Sequence, residues 1–368
     1  MNNPKVNYIT LGQFGTFNHI YQISKILISR GYDVSYFGVF EGLNHRVLTG
    51  LNVSEAFMER SLSPNKGGVQ VRLALLNLLF KRRRQLQASE SVNIVTYFAG
   101  CSLLLFFVKN IVLDIRTLSV HPNPHMRMLF DAVLKLESLF FRRVTVLSES
   151  MRNKFFYSQN ISVVPLGGPK FEFQKKSSCE MRALYVGTLK HRNILSTVKA
   201  FHDFLMERPL ISGRFDIIGR GDEAQREAIN EYISQNSLEG RIIFHGEVNF
   251  PEVTAFYLDS NVGLSYVPMT KYYDSQPPTK TFEYLLAGMF VIATDTSENR
   301  KIIKHGNGCL TGDSRADILG GFIEAADSIS YIDFSAIFSD SQKYSWDEIV
   351  QNYLIPMIME RNHRTREL

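Results

Sequence analysis

"PPTKTFEYLLAGMFVIATD", residues 277–295, reads as one αβ unit. Pro277 and Pro278 suit a loop, the spacing predicts a helix over 279–287, Gly288 stands just past its end, and 290–293 is an apolar strand. Such a unit belongs to an open α/β sheet. Its helix opens with a cation, Lys280, and carries an anion, Glu283, three residues on.

The same alternation extends in both directions. Before this stretch, strands are predicted over 182–186, 214–218, 241–244 and 262–266, with helices over 193–207, 222–235 and 251–258. Nearer the start, a strand over 6–11, a Gly-containing loop over 12–16, a helix over 19–30, Gly31 and a strand over 34–40 make a βαβ unit, whose strands must be parallel. Strands over 92–97, 111–115 and 144–147 and a helix over 126–141 continue it. "ISVVPLGGPKFEFQKKSSCE", residues 161–180, passes from strand to a Gly-Gly-Pro turn and a polar stretch. The expected fold is α/β, with two doubly wound Rossmann-like domains facing a cleft. They span 1–168 and 181–342, joined by a linker at 169–180, and a helical tail at 343–368 packs back on the first domain. The tail is read as helix over 346–354, a break at Pro356, and helix to 362.

Composition agrees with a soluble enzyme of this size: 368 residues, 45% hydrophobic and 21% charged. Cys101, Cys179 and Cys309 form no CxxC pair, which argues against a disulfide framework or a zinc site and fits a reducing cytoplasm. The first residues lack the order of a signal peptide, and the apolar stretch 98–113 is interrupted by Lys109 and Asn110, so no transmembrane helix is expected. The net charge of +5 concentrates in "LALLNLLFKRRRQL", residues 73–86. That stretch can lie on an anionic membrane surface. Equally, it can be a helix buried at one end with a solvated basic end. Nucleic acid is not expected as a partner, because the run has no interleaved aromatics and no binding motif.

Several pieces in order carry a family likeness: "YVGTLKHRNILSTVKAF" (185–201), "FDIIGRGDEAQREAI" (215–229), "IIFHGEVNFPEVTAFYLDSNVGLSYVP" (242–268), the opening stretch, and "TSENRKIIKHGNGCL" (296–310). Together they resemble the donor-binding domain of GT-B fold glycosyltransferases of the family-4-like, group 1 type. "HIYQISKILISRGYDVSYFG" (19–38) and "LESLFFRRVTVLSESMRNKFF" followed by "ISVVPLGG" resemble that fold's acceptor domain. Only about residues 41–90 stand outside the likeness.

The resemblance implies roles. Lys280 would give an ammonium to a donor diphosphate, with the helix N-terminus behind it, and Glu283 would accept from the ribose hydroxyls. Taken without the likeness, the two read as an exposed helical ion pair. Gly187, Gly219 and Gly221 would lie beneath the nucleotide, Lys190 or Arg192 would add a second cation, and the backbone around Glu247 and Val248 would meet the base. Each glycine also reads as a turn residue. Backbone N–H groups of residues 297–299 would approach the donor, with Asn299 itself a cap or turn residue. The loop "GQFGTFNH" would face the cleft through Gly12 and Gly15.

The family pattern has a second glutamate eight residues before Glu283, where this chain has Ser275, with Asp274 beside it. That departure leaves the donor sugar and the stereochemical outcome open, with retention favoured. An inverting reaction needs a base, for which Asp114 is the first choice in "LDIRTLSVHP", ahead of Arg116 and His121; Asp114 reads equally as a carboxylate paired with Arg116. No resident cofactor is implied. A metal is not required, since cations can balance the diphosphate and no Asp-x-Asp motif occurs.

The expected activity is transfer of a sugar from a nucleotide diphosphate sugar to an acceptor hydroxyl. The acceptor would be a saccharide, lipid-linked if residues 73–86 meet the inner face of the cell membrane, as in bacterial polysaccharide or lipopolysaccharide synthesis. A nucleotide-sugar epimerase of the same fold, or a catalytically silent nucleotide-sugar-binding partner subunit, are the alternatives.

Overall fold

The computed structural model describes residues 4–40, 48–57, 67–88, 90–119, 121, 123–157, 161–274, 276 and 279–364. The chain divides into two compact units, one made of Met1–Leu166 with Trp346–Leu368, the other of Gly167–Ser345.

In the first unit the described strands are β1 (Lys5–Ile9), β2 (Asp33–Phe40), β3 (Leu51–Phe57), β4 (Ser91–Thr96), β5 (Ile111–Ile115), β6 (Val144–Val146) and β7 (Ile161–Val163). All pair in parallel in the order β3-β2-β1-β4-β5-β6-β7, with Val6 opposite both Val34 and Val92. The order in which strands are added reverses between β1 and β4, the switch point of a doubly wound fold. Alternate strand residues feed two cores. Ile9, Phe37, Val95 and Leu113 face helices Gly67–Lys81 and Pro124–Ser138 through Leu75, Leu79 and Leu134. Val6, Tyr36, Ile94 and Val112 face helix Asn18–Ser29 and the tail.

The tail closes this second face with Trp346, Ile349, Val350 and Leu354, all buried. Pro356 does not break it. A π-helical turn, Val350–Leu354, runs directly into helix Ile355–Arg364, and its wider bonding, with Ile355 N–H on Val350 O, falls just before the residue that has no N–H to give.

The second unit holds β8 (Met181–Val186), β9 (Gly213–Ile218), β10 (Ile242–Gly246), β11 (Val262–Ser265), β12 (Phe290–Thr294) and β13 (Gly308–Thr311). They are parallel in the order β10-β9-β8-β11-β12-β13, which puts the switch point between β8 and β11. Phe201, Phe204, Phe215 and Phe322 form an aromatic cluster between one face of the sheet and its helices.

Three expectations differ from this outcome. Residues 169–180 are not a linker but part of the second unit: Phe171 is buried against Tyr257, and the buried Lys176 donates to Tyr257 O (2.7 Å) and Leu258 O (2.8 Å). Those carbonyls end helix Phe250–Asp259, where a cation also meets the negative end of the helix dipole. The boundary with the tail falls at 345/346 rather than 342/343. Helix Pro124–Ser138 starts two residues before the predicted 126, because the Asn123 side chain caps His125 N (2.9 Å) and Met126 N (3.3 Å).

Candidate active site

Pro277 and Pro278 lie outside the described residues; from Thr279 the opening stretch folds as read, with helix Thr279–Leu286, Gly288 at φ +73°, then β12. The positive φ lets the chain turn back immediately into the strand, a conformation that strains any side chain with a Cβ. Helix Thr279–Leu286 follows β11, so its first turn stands at the carboxyl end of the sheet beside the switch point. Ser265 Oγ lies 2.7 Å from Thr281 Oγ1, which donates to Asn299 Oδ1 (2.8 Å), and Asn299 Nδ2 donates to Thr294 O (2.8 Å). This buried network fixes the helix to the ends of β11 and β12. A further bond, from Val186 N to Tyr284 Oη (2.8 Å), fixes it to β8.

Lys280 and Glu283 meet directly, but not as an exposed pair. Glu283 is only 6% exposed, and its Oε2 accepts from both Lys280 Nζ and the Tyr257 hydroxyl. Lys280 Nζ also donates to Tyr257 Oη at 3.0 Å. A carboxylate this buried is costly unless paired and hydrogen-bonded, and removing one partner from such a cluster typically costs about 3–5 kcal/mol. Burial, followed by the charge of Glu283, raises the Tyr257 pKa well above its ordinary value, so the phenol stays a donor.

The loops after β8, β9 and β10 lie at the same end of the sheet. Gly187 N donates to Ile218 O (2.9 Å) and Gly219 N to Gly246 O (2.7 Å). A Cβ at Gly219 would stand 1.7 Å from Gly187 O, so the two loops touch backbone to backbone. Gly221 packs on Leu189. Beyond Gly187 the chain takes two left-handed turns without glycine, at His191 (φ +60°) and Asn193 (φ +46°), a conformation that costs energy and persists where surroundings enforce it. Arg192, between them, donates to Tyr266 O (3.0 Å) and stacks its guanidinium 4.6 Å from the Tyr273 ring centroid. Lys190 is exposed, as is Glu247, while Val248 is half-buried just past β10. Among the described residues no three His, Cys, Asp or Glu side chains converge as metal ligands.

Two expected features are engaged internally. Ser297 N and Glu298 N, read as donors toward a ligand, go to Asp274 Oδ1 (2.8 Å) and Asp274 O (3.3 Å), and Asn299 N goes to Thr296 Oγ1 (3.2 Å). Asp274 is thereby the anchor of the 296–299 turn; Ser275 lies outside the described residues.

In the first unit, Asp114 is buried near the end of β5, accepting from Arg116 Nε (2.6 Å) and Thr145 Oγ1 (2.8 Å), one bond on each oxygen. The geometry is that of the paired carboxylate. The loop after β1 is filled by its own residues: Phe14 is buried edge-on against Tyr36, Tyr36 Oη donates to Gly12 O (2.7 Å), and Gly15 turns at φ +88°. His121 accepts from Asn123 N through Nδ1 (3.2 Å) and packs on Phe130.

Residues 180–326 match the family described as "Glycosyl transferases group 1". That segment is a group 1 glycosyltransferase domain. The whole chain has the GT-B fold, shown by its likeness to solved structures. Sucrose-phosphate synthase from Thermosynechococcus elongatus is 13% identical with a TM-score of 0.65, covering 99% of each chain. WaaG, a glycosyltransferase involved in lipopolysaccharide biosynthesis, is 11% identical with a TM-score of 0.66, covering 94% of this chain and 97% of that one. The catalytic domain of starch synthase IV from Arabidopsis thaliana, bound to ADP and acarbose, is 9% identical with a TM-score of 0.68, covering 98% and 99%. No curated protein sequence matches the chain.

In the glycosyltransferase, three residues that sequence reasoning passed over bear on these sites. Tyr257 completes the Lys280–Glu283 cluster, yet in sequence it is one aromatic on an apolar helix face. Lys176, from the segment read as a linker, seats the end of that helix. His19, at the start of the helix after β1, has an enclosed Nε2 without a partner among the described residues; only its position just past a Gly-containing loop could have drawn attention to it.

Proposed function

We propose that this glycosyltransferase moves a sugar from a nucleotide diphosphate sugar to an acceptor hydroxyl, with the nucleotide held by the second unit. One observation carries the reading: a buried carboxylate, Glu283, joined to Lys280 and Tyr257 at the carboxyl end of β11 beside the switch point. In an open α/β sheet that is where ligands bind. The ammonium of Lys280 meets the negative charge that builds on the departing diphosphate, and Glu283 takes hydrogen bonds from the ribose hydroxyls. Lys190 and Arg192, on the loop after β8, supply further positive charge, and the backbones at Gly187 and Gly219, which touch because neither carries a side chain, lie beneath the phosphate and ribose. Val248 offers an apolar contact and the adjacent backbone a polar edge to the base. No resident cofactor or metal enters the proposal.

Retention of anomeric configuration is favoured. Both oxygens of Asp114 are engaged within the protein, by Arg116 and Thr145, rather than turned to an acceptor hydroxyl. The proton of the acceptor hydroxyl then goes to the leaving diphosphate, on the face from which it departs. The acceptor is a saccharide, and the basic, apolar stretch at 73–86 supports a lipid-linked one at the inner face of a membrane, in polysaccharide or lipopolysaccharide synthesis. The naming of WaaG for lipopolysaccharide biosynthesis is in line with this.

The test is a thermal-shift screen with UDP, GDP, ADP, dTDP and CMP and their sugars, repeated with Glu283→Ala. One nucleotide should raise the melting temperature, since a ligand at 100 times its Kd contributes about 2.7 kcal/mol. Glu283→Ala should raise its Kd by roughly tenfold or more. Release of nucleoside diphosphate in proportion to added acceptor separates transfer from epimerisation and from silent binding. A protein that no nucleotide stabilises would overturn the reading.

A further inference from the structure

The face of the first unit's sheet that bears helices Gly67–Lys81 and Pro124–Ser138 is covered by one layer of three elements, the third being the 3₁₀ helix Cys101–Phe106. They are contiguous: the Phe80 and Phe107 rings meet edge-on at 5.6 Å, and Glu137 binds Gly100 N (2.9 Å) and Ser102 Oγ (2.8 Å). Inward, Leu75, Leu79, Leu104 and Leu134 fill the core. The outward side is apolar as well. Phe80 is 51% exposed, Phe106 86%, Met128 69% and Leu136 62%, as are Phe140 (67%) and Phe156 (96%) beside the last helix, and the three elements with these two residues hold more than half of the large apolar side chains exposed among the described residues. An apolar depression of about 620 Å³ lies within it, between helix Pro124–Ser138 and Phe156.

A patch of this kind marks an interaction surface rather than chance exposure, and its charge selects the partner. Residues 67–88 contain Arg72, Lys81, Arg82, Arg83 and Arg84 and no acidic residue. Residues 81–84 are exposed, and the guanidinium of Arg83 lies 4.5 Å from the Phe80 ring centroid. Arg127 and Lys135 stand at the depression, with the Lys135 ammonium 5.7 Å from the Phe156 ring centroid, and the one carboxylate there, Asp131, accepts from Ser119 N (2.7 Å). Aromatic and aliphatic side chains with cations along their flanks suit apolar insertion under a layer of anionic headgroups. A second copy of the chain on this face would set like charges against each other. Among the described residues no helix is long and apolar enough to cross a membrane, so contact would be from one side.

We propose that this entire layer, and not the run at 73–86 alone, docks the protein on an anionic lipid bilayer. Leu75, Leu79 and Leu86, which the sequence offered to the membrane, are buried in the protein's own core. The insertion falls instead to Phe80, Phe106, Phe140 and Phe156. The proposal extends the reading of a lipid-linked acceptor, but its test contains neither donor nor acceptor, so it stands or fails apart from the transferase assay.

The experiment is co-sedimentation of the full chain with phosphatidylglycerol/phosphatidylethanolamine vesicles and with phosphatidylcholine vesicles, at low and high salt. Wild type should bind the anionic vesicles, and less tightly as salt rises. Phe140→Ser/Phe156→Ser alters two exposed positions remote from 73–86, and should lower that binding by about tenfold or more with an unchanged melting temperature. Failure of wild type to bind would overturn the proposal. So would a double variant that binds like wild type while Arg82→Glu/Arg83→Glu does not, because the basic run alone would then suffice. A dimer in light scattering that the double variant abolishes, without vesicle binding, would assign the face to a second copy.

Discussion

His19 Nε2 is enclosed and unpartnered among the described residues, and burial, aided by the positive charge of Arg116, lowers the imidazole pKa to about 3. In the unfolded chain it titrates near 6.5. Between those values the unfolded state binds a proton that the native state refuses, so stability is present above pH ~6.5 and is lost as pH falls toward 3. The slope from this one group approaches about 1.4 kcal/mol per pH unit. Urea unfolding at pH 7, 6 and 5 should therefore show a shallower pH dependence in His19→Gln than in wild type; equal slopes would mean that this ring takes up its proton without cost. Other residues show what sequence can and cannot disclose at this scale. Lys280 and Glu283 were legible because the helix period sets them on one side. Tyr257 was not, because it comes from another helix and reaches Glu283 only through tertiary packing. Asp114 was legible as a residue but not as a role, since Arg116 and Thr145 decide what its oxygens can do.

Elements were easiest to read where apolar residues run together between glycines. β8, β9, β11 and β12 are buried strands bounded by turns, and each fell where expected. β3 did not declare itself: it is the edge strand, Leu51–Phe57, and Val53 is 43% exposed, so its pattern lacks the apolar run of a central strand. β13, Gly308–Thr311, is four residues at an edge of the second unit's sheet. Loop glycines divide in the same way. Gly219 read equally as a turn residue or a ligand-facing one, and the structure adds a third demand, the carbonyl of Gly187 where a Cβ would go. Gly219→Ala must push the loops after β8 and β9 apart, against the bond from Gly187 N to Ile218 O that holds them. The expected cost is about 2–4 kcal/mol, read as a lower denaturation midpoint. Gly240→Ala, where nothing lies within 4 Å of the added carbon, is the control and should stay within about 0.5 kcal/mol. Equal midpoints for the two variants would mean that the loops separate without strain.

At the scale of the molecule, each unit buries its own core, and the tail belongs to the first although the second precedes it in sequence. The chain contains one tryptophan, Trp346, and it is buried in the tail's contact with the first sheet among Ile349, Val350 and Leu354. Its fluorescence therefore reports the first unit, whereas far-ultraviolet circular dichroism reports both. A ligand stabilises only the structure it binds, by RT ln(1 + [L]/Kd). If the nucleotide is held by the second unit and the two cores melt separately, a saturating nucleoside diphosphate should raise the dichroism transition of the second unit and leave the tryptophan transition in place. Multidomain chains commonly depart from a single two-state transition in this way. A tryptophan transition that rises by the same amount would show that the units melt together. A rise in that transition alone would move the nucleotide to the first unit and remove Lys280 and Glu283 from its binding site.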